Sequence, residues 1–322
     1  MIDGYRISQV VFVAAELGIA DLLRDGPKGA DELAAAMRAD PRSLFRVMRA
    51  LASVGVLEQL GDERFALAPL GEWLRSDTDE SLRPWALLSA RMYRSWGDFR
   101  DSIETGKGGL GSDYGKRRWE RLKRSPEEAR IFHDAMGANS AWVARAVLDA
   151  YDFSAFRSIV DVGGGNGTLI ASILSTYPSA QGVVFDLPEA VRDAVLRLEA
   201  AGLAARCQLR TGSFFDLVPP GSDAYVLSRV LHDWDDDHAV QILQSTRRAT
   251  TAGTMLLIIE RLLNPESPSV EATLSDLNML LMNGGCERTS AEFEVLLAAA
   301  GFSLERVVAT QAPIQILEAV AI

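Results

Sequence analysis

The chain is poor in cysteine, in histidine and in positive charge. Its 322 residues include two cysteines, three histidines, and 33 Lys and Arg against 44 Asp and Glu, for a net charge of −11. Cys207 and Cys286 lack the spacing of a metal site, and two free thiols are typical of a reducing compartment. An acidic chain does not favour nucleic acid or an anionic membrane as its main partner. We therefore expect a cytoplasmic protein.

Long apolar runs are absent as well. No segment approaches the roughly 20 apolar residues that a membrane-spanning helix needs. The first residues, "MIDGYRISQVVFVAAELGIADLL", have no basic leader and no small-residue cleavage site, so they predict an amphipathic helix rather than a secretory signal. The chain begins within this predicted helix. The total length of 322 residues favours two domains.

Residues 1–150 predict a mainly α-helical domain. Apolar spacing predicts one helix over "YRISQVVFVAAELGIADLL", ended by Gly26 and Pro27. Helices over "ADELAAAM" and "DPRSLFRVMRALASVG" follow, the latter capped by Asp40. Two alternating runs around "GDE" then predict a hairpin, which completes the order of a winged helix-turn-helix. "TGKGGLGSDYG" predicts a loop, and "RIFHDAMGANSAWVARAVLDAY" a final helix.

A winged helix often binds DNA, and Arg42, Arg46 and Arg49 share one face of a predicted helix. Three arginines on a helix are usually a solvated surface, and this half of the chain shows no basic excess. We therefore favour packing or dimerisation as its role.

Residues 151–322 predict an α/β domain, because strands and helices alternate along them. The predicted strands are "SIVDV", "QGVVFDL", "RCQLRTG", "DAYVLSRV", "GTMLLIIER", "FSLERVVAT" and "IQILEAVAI". Such alternation predicts a mostly parallel sheet covered on both faces. Only a few residues join the last two strands, so they should form an antiparallel hairpin at one sheet edge.

A glycine-rich turn, "DVGGGNG", joins the first of these strands to its helix. Glycines there let a ligand approach the backbone at the helix N-terminus. Asp186 ends the second strand, 19 residues after Gly167, where a carboxylate can accept both hydroxyls of a ribose. Any adenosine cofactor meets these conditions, although the spacing at Gly163, Gly165 and Gly167 is not that of the nicotinamide fingerprint.

Six motifs follow one another along the second half of the chain: "DVGGGNGTL", "FDLPEAV", "GSFFD", "LHDWDDDHAV", "LLIIER" and "GGCERTSAEF". This order resembles S-adenosylmethionine-dependent small-molecule O-methyltransferases, typified by plant caffeate-type and bacterial polyketide-tailoring enzymes. The resemblance runs essentially end to end. It implies a Rossmann-like class I methyltransferase domain preceded by a winged-helix dimerisation domain, and hence a homodimer. It also implies S-adenosyl-L-methionine as cofactor and no metal.

The resemblance assigns residues to the cofactor, and the predicted pocket suggests others for the acceptor. The cofactor set is Gly163, Gly164, Gly165, Asp186, Leu187, Ser213, Phe214 and Ser228. Ser213 and Ser228 stand where plant members carry aspartate and lysine. The expected acceptor-site residues are Phe132, Met136, Asp233, Met279 and Asn283. Asp233 can equally be a local cap, and Trp234 is expected to pack.

His232 follows a strand end, Glu260 ends the next strand, and Glu287 lies in a loop between the last two helices. In the family resembled, these positions hold a general base flanked by two glutamates. A phenol, with a pKa of about 10, gives its proton to an ordinary histidine, with a pKa of about 6.5, at a cost of roughly 5 kcal/mol. Carboxylates on the imidazole stabilise its cation, so the trio suits methylation of an acidified hydroxyl.

We therefore predict an O-methyltransferase acting on an aromatic or polyketide-like hydroxyl. A family member that uses the cofactor for decarboxylation or hydroxylation is a second hypothesis, and loss of the base would favour it. A non-enzymatic winged-helix regulator with a ligand-sensing domain is a third. A nicotinamide oxidoreductase ranks last because of the glycine spacing.

Overall fold

The computed structural model describes residues 2–78, 81–108 and 124–322. The described chain separates into two compact units. The first unit contains the described residues up to 97 and residues 124–139, and the second contains residues 98–108 and 140–322. The domain boundary at residue 150 stays a prediction. Most of the predicted glycine-rich loop, from residue 109 onward, lies outside the described residues.

The first unit is mainly helical. Its helices are α1 (Gly4–Leu17), α2 (Ile19–Leu23), α3 (Ala30–Met37), α4 (Pro41–Ser53), α5 (Pro69–Glu72), α6 (Arg83–Gly97) and the part of α8 (Pro126–Ala150) up to residue 139. Its strands β1 (Lys28–Gly29), β2 (Leu57–Gln59) and β3 (Arg64–Leu67) form one sheet in the order β1-β3-β2. Helix α4 begins as predicted, because the Asp40 carboxylate accepts a 2.8 Å hydrogen bond from the amide of Ser43. The predicted hairpin is also confirmed, since β2 pairs antiparallel with β3.

The single helix predicted at the start of the chain is wrong. Two helices occupy the segment, because Gly18 adopts a left-handed conformation with a φ of 66° and ends α1. Its amide donates back to the carbonyls of Ala14 and Ala15. Glycine adopts this conformation without the steric cost that a Cβ brings, so the apolar pattern continues through the break.

The second unit is a Rossmann-like sheet flanked by helices. Its helices are α7 (Phe99–Thr105), the remainder of α8, α9 (Thr168–Thr176), α10 (Pro188–Ala200), α11 (Asp236–Ala249), α12 (Val270–Met282) and α13 (Ser290–Ala299). Its strands are β4 (Ser158–Val162), β5 (Gln181–Asp186), β6 (Cys207–Thr211), β7 (Ala224–Ser228), β8 (Met255–Glu260), β9 (Phe302–Ala309) and β10 (Gln315–Ala321). They lie in the order β6-β5-β4-β7-β8-β10-β9. The predicted edge hairpin is confirmed, because β10 is antiparallel to both β8 and β9 while the other pairs are parallel.

The strand order reverses between β4 and β7. From β4 the chain continues outward to β5 and β6, whereas β7 lies on the opposite side of β4 and leads to β8. The central strands are buried along most of their length, and Ser228 and Glu260 provide polar groups at the carboxyl ends of β7 and β8. In open α/β sheets, ligands bind in the crevice at such a reversal. Candidate functional residues therefore belong at the carboxyl ends of β4, β7 and β8.

Candidate active site

His232 lies just beyond the carboxyl end of β7. The strand ends at Ser228, and Arg229 turns the chain with a φ of 56° while its amide donates to the carbonyl of Ile259. The residues Leu231–Asp233 then form one turn of 3-10 helix, in which His232 is only 5% exposed. A buried histidine this close to a strand end is positioned by the sheet itself.

Two buried carboxylates face the same ring nitrogen of His232. Its Nδ1 lies 3.3 Å from Oε1 of Glu287 and 3.5 Å from Oε2 of Glu260. Because ionised carboxylates only accept hydrogen bonds, Nδ1 must carry the proton and donate it. The lone pair of the neutral ring is therefore on Nε2.

Glu260 is fixed by the turn that carries the histidine. It ends β8 and is fully buried. Its Oε1 accepts hydrogen bonds from the amides of Leu231 at 2.9 Å and His232 at 3.3 Å. Its Oε2 has no hydrogen-bond partner among the described residues, so it is left facing the imidazole.

Glu287 is fixed by α12, and sequence reasoning missed the residues that hold it. Its Oε1 accepts a 2.7 Å hydrogen bond from the hydroxyl of Ser275, and its amide donates to Oδ1 of Asp276 at 2.9 Å. Arg261 in turn donates to the Ser275 hydroxyl at 2.7 Å. A chain of hydrogen bonds thus connects a cation, a hydroxyl and a carboxylate to His232.

The electrostatics of the trio favour a charged imidazole. Burial lowers the pKa of His232, but the charge of Glu260 and the hydrogen bond to Glu287 outweigh it and raise the pKa from 6.5 to about 9. Burial also raises the pKa of Glu287, yet its hydrogen bond and charge interaction with His232 bring the pKa below its ordinary value. Burial raises the pKa of Glu260. His232 is therefore a far stronger base than a free histidine.

Arg288 fastens the Glu287 loop to the His232 turn, and sequence reasoning missed it too. Its side chain is 2% exposed and donates to the carbonyls of Leu231 at 3.0 Å and Trp234 at 2.8 Å, and to Asp236 at 2.9 Å. The only sequence signal was its place next to Glu287, because its partners lie more than 50 residues away along the chain.

Gly285 lets the same two segments approach closely. A Cβ at this position would overlap the carbonyl oxygen of His232 and lie 2.6 Å from the carbonyl carbon of Asp233. No other residue type fits here without movement of the backbone.

Three predicted acceptor-site residues belong to the second unit, and one of them, Asp233, lies beside His232. Oδ1 of Asp233 is 3.7 Å from Nε2 of His232 and accepts a hydrogen bond from Nδ2 of Asn283. Met279 is buried one turn before Asn283 on α12. Phe132 and Met136 belong to the first unit and pack against its core. An acceptor role for all five stays a prediction.

The glycine loop after β4 has the shape of a cofactor cradle. A Cβ on Gly163 would lie 2.7 Å from Val230, and one on Gly164 would lie 2.8 Å from the carboxyl of Asp161. Gly165 has a φ of 54° and open space where its Cβ would be. The loop therefore packs tightly at Gly163 and Gly164 and is open at Gly165, where a ligand could approach the backbone.

Asp186 faces this loop from the end of β5. Its Oδ2 accepts from the amide of Gly165 at 2.9 Å, and its Oδ1 accepts from the amide of Leu187 at 2.6 Å. Burial raises its pKa, and these amides partly offset the effect. An S-adenosylmethionine ribose fits here, because the carboxylate is half-buried and retains lone pairs for two hydroxyls.

The remaining predicted cofactor residues lie at the same edge of the sheet. Phe214 reaches to within 3.7 Å of the Cβ position of Gly163 and stacks edge-on against Trp234. Ser213 immediately precedes it, and Ser228 ends the neighbouring strand β7. Trp234 packs on the core as expected. Cofactor contacts for these residues stay a prediction.

The trio also meets the spacing of a metal site. Within the described residues, His232, Glu260 and Glu287 each offer one ligand atom, and these atoms lie within 4.8 Å of one another.

No described helix is long and apolar enough to cross a membrane.

Comparison with known proteins identifies the family. Residues 96–303 match the profile of the O-methyltransferase domain, and residues 1–77 match that of the O-methyltransferase dimerisation domain. Phenazine O-methyltransferase PhzM of Lysobacter antibioticus is 42% identical over 320 residues, covering 99% of this chain and 94% of that protein.

Comparison with solved structures identifies the same family. Mitomycin 7-O-methyltransferase MmcR superposes with a TM-score of 0.91 at 35% identity, covering 100% of this chain and 96% of that one. NcsB1 from neocarzinostatin biosynthesis, in complex with S-adenosylmethionine and 2-hydroxy-5-methyl naphthoic acid, gives 0.83 at 34% identity, covering 98% and 96%. The chain belongs to the S-adenosylmethionine-dependent O-methyltransferase family, with an N-terminal dimerisation domain and a Rossmann-like catalytic domain.

Proposed function

We propose that this methyltransferase methylates a hydroxyl group of a small aromatic or polyketide-like metabolite, with His232 as the general base. The observation that carries the proposal is the pair of buried carboxylates on Nδ1 of His232, at 3.3 and 3.5 Å. They orient the ring so that Nε2 is the nitrogen free to take a proton from the acceptor.

The reaction needs a lone pair on the acceptor oxygen. Bound S-adenosylmethionine supplies a methyl group activated by a sulfonium, and S-adenosylhomocysteine is the product after transfer. His232 would take the acceptor proton on Nε2, so that the acceptor oxygen has a lone pair available for the methyl group. Glu260 and Glu287 stabilise the resulting imidazolium.

The raised basicity of His232 makes this proton transfer easier. Between a phenol with a pKa of about 10 and neutral His232 with a pKa of about 9, the transfer costs about 1 kcal/mol, against roughly 5 kcal/mol with an ordinary histidine. Forming the neutral base costs about 3 kcal/mol more at pH 7, so the gain is realised as the pH approaches 9. A hydroxyl acidified by its ring or by neighbouring carbonyl groups would lose its proton outright. This energetics supports an aromatic acceptor over an isolated aliphatic alcohol.

Different residues would bind different parts of S-adenosylmethionine. Gly163, Gly164 and Gly165 lie at the helix N-terminus and suit the methionine part, while Asp186 suits the ribose. Ser213 and Phe214 would flank the adenine.

We also infer a homodimer formed through the N-terminal domain, which would be a winged helix, and a cytoplasmic location. The helix order, the hairpin of β2 and β3 and the matched dimerisation profile support the first. The two free cysteines support the second. We expect the trio to work without a metal, because Nδ1 of His232 is hydrogen-bonded to Glu287 and Nε2 is the proposed proton acceptor.

The test is a methylation assay with methyl-labelled S-adenosylmethionine and a panel of phenolic and polyketide metabolites, read by mass spectrometry. His232→Ala should lower turnover by ~10²–10⁴-fold and keep cofactor binding. His238→Ala is the matched control, because that histidine is exposed and contacts the helix cap Asp235 and the rings of Phe215 and Trp234, not the trio. Unchanged turnover in His232→Ala would remove the residue from the mechanism.

Two other outcomes would favour the rival hypotheses. Conversion of an acceptor without incorporation of label would indicate decarboxylation or hydroxylation. Salt-dependent DNA binding without turnover of any acceptor would indicate a ligand-sensing regulator.

A further inference from the structure

We propose that Arg261 and Ser275 limit the basicity of His232 by taking up part of the negative charge of Glu287. Both are positioning residues, because their hydrogen bonds reach the base only through Glu287. This inference rests on the proposed function, since a limit on basicity matters to turnover only if His232 is the general base.

The direction of the hydrogen bonds follows from the chemistry of arginine. Nη1 of Arg261 donates to the Ser275 hydroxyl at 2.7 Å, and a guanidinium has no lone pair with which to accept a bond in return. The hydroxyl therefore directs its own hydrogen to Oε1 of Glu287, which lies 2.7 Å away. A hydroxyl that accepts from a cation is polarised and becomes a stronger donor, so the charge of Arg261 acts on Glu287 through Ser275.

Oε1 of Glu287 is shared between two donors. Ser275 donates to it at 2.7 Å, and Nδ1 of His232 lies 3.3 Å from the same atom. Two donors on one oxygen compete for its charge, so the shorter bond to Ser275 weakens the longer bond to the imidazole. Burial raises the pKa of Glu287, and its bonds to His232 and Ser275 bring that pKa below its ordinary value. Without the hydroxyl, the charge on Oε1 would act on the imidazole alone.

The carboxylate of Glu287 has no substitute for this hydroxyl in the described part of the chain. Glu287 is 3% exposed, and its Oε2 has no hydrogen-bond partner there. Its backbone is held independently, because its amide donates to Asp276 at 2.9 Å. The guanidinium of Arg288, the next residue, is bonded to backbone carbonyls and to Asp236. Loss of the hydroxyl would therefore leave Glu287 beside the imidazole with one donor fewer.

Arg261 is anchored where it can orient Ser275. It directly follows Glu260 at the end of β8, and its side chain is 14% exposed. Nη2 donates to Glu271 at 2.8 Å, and Nε donates to the carbonyl of Pro313 at 3.3 Å. Glu271 and Ser275 lie one turn apart on α12, so the guanidinium contacts both. The strand that supplies Glu260 to the base thus also supplies the cation that moderates it.

Other charged groups surround the base, and a substitution at Ser275 leaves them in place. They are Arg229, Asp233, Asp236, Glu260, Asp276 and Arg288. Among the described residues, the Ser275 hydroxyl is hydrogen-bonded only to Arg261 and Glu287. An effect of its removal on the imidazole therefore passes through Glu287.

The expected effect has a definite sign. One hydrogen bond to an ionised carboxylate lowers the pKa of that carboxylate by about 1, and we expect Ser275→Ala to raise the pKa of His232 by about 0.5 to 1. A smaller fraction of the base is then neutral, so kcat/KM at pH 7 should fall by about 3- to 10-fold. The loss should shrink as the pH rises above the inflection, whereas damage to the fold would lower rates at every pH.

The experiment compares four variants by pH–rate profiles and by NMR titration of the imidazole. Ser275→Ala should move the inflection to higher pH, and Arg261→Met should move it in the same direction, because the cation that polarises the hydroxyl is lost. Ser275→Thr keeps a hydroxyl and should keep the wild-type inflection. Thr273→Ala is the matched control, since this exposed residue of α12 bonds only to carbonyls of Ser269 and Val270.

The NMR titration separates this inference from the proposed function, because it needs no turnover and also reports whether each variant is folded. An upward shift in Ser275→Ala, together with unchanged turnover in His232→Ala, would support the inference on basicity and overturn the proposed function. A pKa of His232 that Ser275→Ala leaves in place or lowers would overturn the inference, as would an equal shift in Ser275→Thr or Thr273→Ala.

Discussion

With His232 as the proposed general base, the buried carboxylates beside it determine the pH dependence of turnover. Their charge raises the pKa of the imidazole to about 9, and the base acts only in its neutral form. kcat/KM should therefore rise about tenfold per pH unit below pH 9 and level off above it. At pH 7 about one enzyme molecule in a hundred carries the neutral base.

The matching perturbation is Glu260→Gln, which removes a charge 3.5 Å from Nδ1 and keeps an oxygen for the amides of Leu231 and His232. Removing an opposite charge at this distance lowers a pKa by about 1 to 3. Burial lowers the pKa of His232, and without the charge of Glu260 less remains to offset this effect. The inflection of the profile should move to lower pH by that amount, and the plateau should fall because the base is weaker.

The assay measures initial rates of S-adenosylhomocysteine formation from about pH 6 to about pH 10, with acceptors of two different acidities. An inflection that belongs to the enzyme stays in place when the acceptor changes. A titration of the imidazole signals by NMR gives the same pKa without turnover, and the chain has only three histidines to assign. A wild-type inflection near 6.5, or one that Glu260→Gln leaves in place, would refute the reasoning.

Four further outcomes are expected. Asp186→Ala should raise the Kd for S-adenosylmethionine by about 10- to 100-fold in calorimetry, because hydrogen bonds to a charged group are lost; an unchanged Kd would remove Asp186 from the cofactor site. Gly285→Ala should lower stability by about 1–3 kcal/mol and reduce kcat, since the new Cβ collides with the His232 turn, whereas Gly61→Ala, in open space, should be silent in thermal unfolding and kinetics. Arg288→Lys should lower Tm and kcat together, because one ammonium cannot reproduce the fork that reaches two carbonyls and Asp236, and wild-type values in both would contradict its role. Dialysis against a chelator should leave activity unchanged, and a loss that added zinc restores would show that the trio binds a metal.

The sequence predicted the fold well because the Rossmann-like half repeats one local pattern. Each strand is a short apolar run bounded by turn residues, and the last three helices have side-chain caps, such as Asp235 for α11. The first half was harder, because an apolar stripe continues through Gly18 although the backbone does not. The periodicity of apolar residues predicts which face of a helix is buried, but it does not reveal a residue in the left-handed conformation within that face.

The site was predictable to the extent that its residues end strands. His232 and Glu260 follow from β7 and β8, whereas Glu287 was found through the resemblance to a family. The residues that hold Glu287 were not found, because Ser275 and Arg288 work through contacts with chain segments that no local pattern connects. A serine on a helix and an arginine in a loop look like ordinary surface residues until the backbone brings their partners together.

Helix α12 has a consequence for how such an enzyme can change its acceptor in evolution or in the laboratory. Its early turns carry Ser275 and Asp276, which hold Glu287, and Met279 and then Asn283 follow at the end that approaches Asp233. A single helix thus holds Glu287 against His232, the proposed base, at one end and contacts the proposed acceptor site at the other. Substitutions after Met279 can alter selectivity with little effect on basicity, whereas those one turn earlier alter both. Libraries that diversify only the last turn of this helix should therefore retain far more active variants than libraries that diversify all of it.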